Sequence, residues 1–511
     1  MKIKILKPVN IILILILALS VLASGCASGA SGTLSGVKPP LQEQSQLQEL
    51  SKSQAQPPQE QTTASGQTQT QTTAPGQGQQ AQPPQATAQT TAQAQPTPPP
   101  VQPSQTQPPQ PQQLPTQPSQ TQTPAQLQSK LKAFKSITET FGDDPRTGRN
   151  FTWMTSAKIE TGVVEYCETS SFQGFDKPNV IRVAARSYIT NTDAEQRAVH
   201  KAQIENLKPG ASYTYRIGSD KGGFSPQGAF KTAEESLNNF TFINITDTQG
   251  GSSKDYAVWK NTLDKALGRF PGARFLLHTG DMVDVGQDIS QWDMFTKAVQ
   301  PELLNLPLLP AIGNHEAINK NGTNNDFKNF TDRFDLPEIR NTGAPAGTVY
   351  SMDYGNVHIA VMNTQCGSSN LKKQADWLRT DMKRSDKPWK IVALHRGPYG
   401  ATYDTKDIRK SWAPVFDEVG VDLVLEGHDH NYMRSYPMKD NKAVRTGEGT
   451  VYMVGNTGGV KFYPAKKRTW QAVDMQPGLQ MYIAVTVSDT KMVIEAYDIN
   501  NTLRDTVTLA K

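Results

Sequence analysis

The chain has 511 residues, a formal net charge of +5 and 36 % hydrophobic residues. That length predicts two to four domains, and the mild basic excess, without basic–aromatic interleaving, excludes nucleic-acid binding. Three cysteines, Cys26, Cys167 and Cys366, exclude a disulfide framework and a thiolate metal site.

In chain order, Lys2, Lys4 and Lys7 precede an apolar run from Val9 to about Ala23, which ends in Leu22-Ala23-Ser24-Gly25-Cys26. The run is roughly 22 Å long as a helix, short of a bilayer's ~30 Å core. Residues 1–25 read as a signal peptide. The small residues before the cysteine resemble a bacterial lipoprotein signal, with Ala23 where leucine is usual. That resemblance implies lipidation of Cys26, with the bilayer as partner, at the extracellular face of the bacterial cell membrane. An ordinary secretory signal would export the protein unanchored.

Residues 26–130 form a Gln/Pro/Thr-rich linker, without Phe, Trp, Tyr or Ile from 27 to 128. Such a segment buries too little apolar surface to offset chain entropy and is expected to be a disordered stalk. Residues 131–234 turn globular, with strand-like runs at Phe151–Thr155, Val163–Tyr166 and Val180–Val183. Leu207-x-Pro209-Gly210-x-x-Tyr213 looks like the tyrosine corner of a β-sandwich. An all-β, fibronectin III-like sandwich is expected, with His200 as a structural residue.

Residues 237–511 change pattern again. Strands at 240–246, 273–278, 390–394 and 421–425 alternate with helices at 255–270, 290–304, 371–382 and 406–419, and β structure follows at 451–455, 482–487 and 492–497. This is the alternation of an α/β (α+β) domain. Polar residues sit where its strands stop: Asp247-Thr248-Gln249, Gly280-Asp281-Met282-Val283-Asp284, Gly313-Asn314-His315-Glu316, His395, and Gly427-His428-Asp429-His430. Ligands of open α/β sheets collect at that edge. In an extended backbone, residues two apart project to one side, so His428 and His430 are expected to offer two imidazoles to one point. Two Asp, one Asn and three His without thiolate suit two cations drawn from Fe, Mn, Zn, Co or Mg. His278 and His358 lie within strand patterns and read as structural.

These five stretches, in this order, resemble the signature of calcineurin-like metallophosphoesterases. His428-x-His430-x-Tyr432-x-Arg434-Ser435, with the preceding sandwich, resembles the purple acid phosphatases. The resemblance implies a four-layer sandwich of two mixed β-sheets between helices, and a metal-dependent phosphatase acting through a metal-activated hydroxide. Carried over by motif, Asp247 and His430 bind one metal, Asn314, His395 and His428 bind the other, and Asp281 bridges them. His315 is the catalytic residue that stabilises the phosphoryl oxygens or protonates the leaving group, and Asn314, His315 and Arg434 contact substrate phosphate. Two positions depart from the family. Asp284 stands where purple acid phosphatases have tyrosine, and is expected to orient His315, as in protein Ser/Thr phosphatases. Gln249 stands where the wider family has histidine, and is a further candidate ligand. Without that tyrosine, an iron-tyrosinate colour is not expected.

The expected function is an exported, membrane-anchored phosphomonoesterase. A phosphodiesterase or nucleotidase would use the same ligands, and a non-catalytic cell-surface binding protein would leave them idle. No protein partner is inferable.

Overall fold

The computed structural model describes residues 133–323 and 327–511. The expected signal peptide, the stalk and Cys26 lie outside these residues.

The first part is a β-sandwich. Strands β1 (Lys135–Phe141), β2 (Arg149–Ser156), β3 (Val163–Glu168), β4 (Ile181–Ala184), β5 (Arg186–Asn191), β6 (Gln196–Ile204), β7 (Ser212–Ser219), β8 (Gly223–Phe224) and β9 (Gly228–Lys231) form two sheets. One is ordered β1-β2-β6-β5; the other is β4-β3-β7-β8, with β9 also on β7. Alternate residues from both, such as Trp153, Val164, Ile204 and Tyr215, fill the space between them. The Tyr213 hydroxyl accepts the Lys208 N–H at 2.9 Å, which closes the tyrosine corner expected from the sequence. Strand β1 carries no apolar/polar alternation, and tertiary contacts explain why. Its polar side chains are buried against the second part: Ser136 Oγ lies 3.2 Å from Thr296 Oγ1, and Thr138 Oγ1 donates to the Arg333 carbonyl at 2.6 Å.

The second part begins with β10 (Phe240–Ile245), α1 (Ser253–Arg269), β11 (Leu276–His278), α2 (Ile289–Ala298), α3 (Gln300–Leu303), β12 (Leu308–Pro310) and α4 (Lys328–Thr331). A single helix over 290–304 does not form. It breaks at Val299 and restarts as α3, whose second residue is Pro301, because proline supplies no N–H to continue the first helix's ladder. Next come β13 (Tyr350–Tyr354), β14 (Val357–Val361), α5 (Ser368–Arg384), β15 (Trp389–Ala393), α6 (Lys406–Val419), β16 (Leu423–Glu426), β17 (Tyr432–Ser435), β18 (Met438–Lys439), β19 (Lys442–Ala443), β20 (Val451–Gly455), β21 (Gln471–Met475), β22 (Met481–Val487), β23 (Lys491–Asp498) and β24 (Leu503–Ala510).

They make a six-stranded sheet, β12-β11-β10-β22-β23-β24, and a seven-stranded sheet, β13-β14-β15-β16-β20-β17-β21. Both are mixed. β10, β11 and β12 run parallel, as do β14, β15, β16 and β20, and the other pairings are antiparallel. Successive residues of the second sheet serve different cores. Ile391 and Leu423 join the cluster shared with the first sheet, whereas Val392 and Val424 pack with Leu378 of α5 and Phe416 of α6. That two-sided burial is why these strands read as continuous aliphatic runs. Strands β10, β11, β12, β15 and β16 stop within a few residues of Asp247, Asp281, Asn314, His395 and His428, respectively.

Candidate metal centre

Four of the expected ligands leave their strands in the left-handed region: Asp247 at φ 55°, Asp281 at 55°, His428 at 76° and His430 at 48°. Each costs a non-glycine residue about 1–2 kcal/mol, and such strain concentrates at functional sites. The turns also bring backbone very close. A Cβ on Gly427 would lie 2.1 Å from Thr246 Oγ1 and 2.7 Å from Asp247 Oδ2, and one on Gly313 would lie 2.1 Å from Asp281 Oδ1.

This geometry corrects the extended reading of His428-x-His430. With φ positive at both, the two rings do not serve one point. His428 groups with Asp281 and His395, while His430 groups with Asp247 and Asp281, each group holding its ligand atoms within 4.8 Å of one another. Asp281 belongs to both.

Backbone carbonyls fix which ring nitrogen faces inward. His395 Nδ1–H donates to the Thr279 carbonyl at 2.8 Å, and His430 Nδ1–H donates to the Lys461 carbonyl at 3.0 Å. The remaining Nε2 atoms then meet acceptors. His395 Nε2 lies 3.1 Å from Asp281 Oδ2 and 3.1 Å from Asn314 Oδ1. His430 Nε2 lies 3.2 Å from Asp247 Oδ1. Gln249 adds one more acceptor. With its amide nitrogen on the carbonyls of Asp247 and Asp281, both at 3.2 Å, its oxygen faces His430 Nε2 at 3.2 Å. A lone pair converging on carboxylate and amide oxygens needs a cation or a proton between them, so the residues present fit a metal at both points. Charge tells the same story. Burial alone would lower the His395 pKa, yet Asp281 and Asp247 raise it to about 9. His428 is held neutral by burial and by the positive charge of His395 and Arg396.

Carboxylates also brace the ligand loops. Thr246 Oγ1 donates to Asp247 Oδ2 at 2.7 Å, and the His428 N–H donates to the same carboxylate at 3.0 Å. Glu316, fully buried, accepts the N–H groups of Asp281 at 2.9 Å, Met282 at 2.7 Å and Gly313 at 2.7 Å. Burial, then Asp281, raises its pKa to about 7. The Asp429 carboxylate accepts the N–H groups of Ala401, Thr402 and Tyr403.

His315 is half-buried at the rim, with Nε2 3.8 Å from Asp281 Oδ2. Its Nδ1–H donates to the Asp284 backbone carbonyl at 2.7 Å, while the Asp284 carboxylate stands off at 4.0 Å and pairs with Lys461. Asp284 therefore touches His315 through its main chain, not through the carboxylate expected to orient it. Arg434 is held away from the ligands. Its guanidinium grips Asp505 through Nε at 2.6 Å and Nη2 at 3.1 Å, and Tyr432 donates to the same carboxylate at 2.8 Å. Strand β17 points that face at β24 rather than at the ligands. Tyr399, beside His395 in sequence, is buried and donates to Asn441 at 2.8 Å.

Sequence reasoning missed several contributors. Tyr463 stacks on His430 with ring centroids 4.2 Å apart, and Tyr403 lies over His428 at 4.7 Å. Both come from loops without a strand-end motif. Glu316 had a signal, as the last residue of Gly-Asn-His-Glu. Lys461 had the neighbouring Gly458-Gly459 pair, which a close backbone approach requires: a Cβ on Gly459 would lie 2.8 Å from the Asp247 carbonyl.

The sequence pattern of calcineurin-like phosphoesterases matches residues 240–432, and that of the purple acid phosphatase N-terminal domain matches residues 135–232. Acid phosphatase type 7 of Mus musculus is 27 % identical over 315 residues, covering 54 % of this chain and 68 % of that protein. Purple acid phosphatase 18 of Arabidopsis thaliana is 25 % identical over 304 residues, covering 57 % of this chain and 64 % of that one. The solved structure of purple acid phosphatase PPD1 from yellow lupin (Lupinus luteus) seeds has a TM-score of 0.64 at 19 % identity and covers 74 % of both chains, so the fold is shared.

Proposed function

We propose that this chain, whose residues 240–432 match calcineurin-like phosphoesterases and 135–232 the purple acid phosphatase N-terminal domain, is a metal-dependent phosphoesterase that hydrolyses phosphate monoesters at a binuclear centre. Asp247, His430 and the Gln249 amide oxygen hold one cation. Asn314, His395 and His428 hold the other. The observation that carries the reading is Asp281, whose carboxylate is common to both ligand groups and would serve both cations. Such a pair, when bound, supplies an activated water and neutralises the phosphoryl oxygens. His315 exchanges the leaving-group proton through Nε2, since its Nδ1–H is committed to the Asp284 carbonyl. The names of the relatives, acid phosphatase and purple acid phosphatase, favour a monoester substrate.

The enzyme acts outside the cell, tethered through lipidated Cys26. Support comes from Lys2, Lys4 and Lys7, the apolar run after them and the small residues before Cys26. Incorporation of labelled fatty acid into the wild-type chain, and none into Cys26→Ala, is the expected outcome; equal labelling removes the anchor.

For the activity, the purified chain is stripped of metal, reloaded from a panel of Fe, Mn, Zn, Co and Mg, and given a chromogenic monoester and diester side by side. Monoester turnover that Asn314→Ala abolishes is expected. Diester turnover in large excess would make it a phosphodiesterase, and no turnover with any metal would leave a binding protein.

A further inference from the structure

Asp284 and Lys461 are each used twice. The Asp284 carbonyl accepts His315 Nδ1–H at 2.7 Å, and the Lys461 carbonyl accepts His430 Nδ1–H at 3.0 Å. The side chains of the same two residues then pair with each other. A continuous chain of contacts thus runs from His430 through Lys461 and Asp284 to His315. It joins two loops separated by 177 residues in sequence.

Each loop is also fastened on its own side. The N–H groups of Asp284 and Val285 donate to Gln291 Oε1 at 2.8 and 2.9 Å. Across the gap, the Tyr463 N–H donates to the His430 carbonyl at 3.2 Å, and Thr457 Oγ1 donates to the Asp247 carbonyl at 2.6 Å. The ion pair is therefore not needed to form either loop. With 21 % and 24 % of the two side chains exposed, it is a partly buried pair that spans the gap between the loops. What it fixes is the distance between the loops, and hence between the two imidazoles they hold.

We propose that the Lys461–Asp284 ion pair is a clasp that positions His315 and His430 as one unit, so that the proton-donating Nε2 and the metal-facing Nε2 keep a set separation. Asp284 and Lys461 are positioning residues that touch neither substrate nor cation. This rests on the roles given above to His315 and His430. It also explains why an aspartate serves at position 284: a carboxylate is what the ammonium across the gap requires.

The test reads the clasp first without metal. The chain has seven histidines, few enough for imidazole ¹⁵N NMR to assign, and a carbonyl-bonded Nδ1–H exchanges slowly. In Lys461→Met, the Nδ1–H of His315 is expected to exchange at least tenfold faster, although Lys461 does not touch that ring. In Asp284→Asn, the same is expected of His430, and Lys461→Arg is expected to resemble wild type. In the metal-loaded enzyme, each single variant is expected to lose about tenfold in kcat with KM little changed, and the double variant no more than either single. Because His315 donates to the leaving group, an alkyl phosphate should lose more than a nitrophenyl phosphate. Cross-effects absent from the ¹⁵N spectra of both variants, or single-variant losses that multiply in the double, overturn the clasp. Should Lys461→Met fail to fold, Asp284→Asn alone decides through the His430 signal. If wild type turns over no substrate while the cross-effects appear, the functional reading fails and the clasp stands.

Discussion

His200 in the sandwich and His395 at the end of β15 are both fully buried, and they do different work because different atoms face their rings. His200 sits between two hydroxyls, Thr155 Oγ1 at 2.9 Å and Ser187 Oγ at 2.7 Å, and stacks on Trp153. A hydroxyl both donates and accepts, so a neutral ring is satisfied at both nitrogens, and burial lowers its pKa to about 4. His395 has a carbonyl on one nitrogen and a carboxylate with an amide oxygen on the other. Acceptors on both sides ask for a positive charge. The lesson is that the partners of the second nitrogen, more than burial, separate a structural histidine from a candidate ligand. His358 is the informative third case, lying between Asp353 at 2.7 Å and Asp381 at 2.8 Å.

The largest effect that would break this comparison is at Asp281. Asp281→Ala removes the acceptor common to both groups and is expected to lower activity more than a hundredfold and to halve or abolish bound metal, read by elemental analysis. His200→Gln, measured in parallel, is expected to leave kcat unchanged in the folded fraction.

Next comes His358. Burial works to lower its pKa, but hydrogen bonds to Asp353 and Asp381 raise it to about 9 from 6.5. A raised pKa stabilises the fold fully below pH 6.5 and loses that contribution as pH climbs through 9. The contribution is on the order of 3 kcal/mol. Denaturant unfolding should therefore show stability falling between about pH 6.5 and 9, and Asp381→Asn should flatten that fall. A fall of equal size in Asp381→Asn would mean that the fall comes from a group other than the His358–Asp381 pair.

A smaller effect is expected of Glu316→Gln. One of its two oxygens would become an NH2 facing backbone N–H groups, at a cost of about 1–3 kcal/mol, with metal affinity down ~10–100-fold because the Asp281 loop loosens. Isothermal titration with the metal checks this. Smallest is Arg434→Gln. Because Asp505 holds the guanidinium, KM for a phosphate ester should not move, and stability should drop by about 1 kcal/mol. A tenfold rise in KM would return Arg434 to the substrate.

Where one ring nitrogen looks was the part hardest to read from the chain. Strand-end motifs named Asp247, Asp281, Asn314, His395, His428 and His430 as a set, because a strand's aliphatic run and the polar residues after it are contiguous. The same contiguity located α6 over 406–419 and the tyrosine corner at Tyr213. Strand β1 stayed hidden because its polar side chains are satisfied by residues more than 150 positions away, so no local alternation records its burial. The partner of Arg434 was hidden for a related reason: Asp505 lies 71 residues on, in a strand with no motif.

By itself the sequence determined the candidate ligand types, their order and the strands that carry them, since those follow from local hydrophobic pattern and residue chemistry. Only the tertiary structure decided which ligands group together. Left-handed turns at four positions, with Gly427 packed against Asp247 and Gly313 against Asp281, send His428 and His430 to different partners. Carbonyls brought in from Thr279, Asp284 and Lys461 then choose the nitrogen that each of His395, His315 and His430 presents. Hydrogen bonds across such separations depend on where the chain returns in space, which no local pattern of residues encodes.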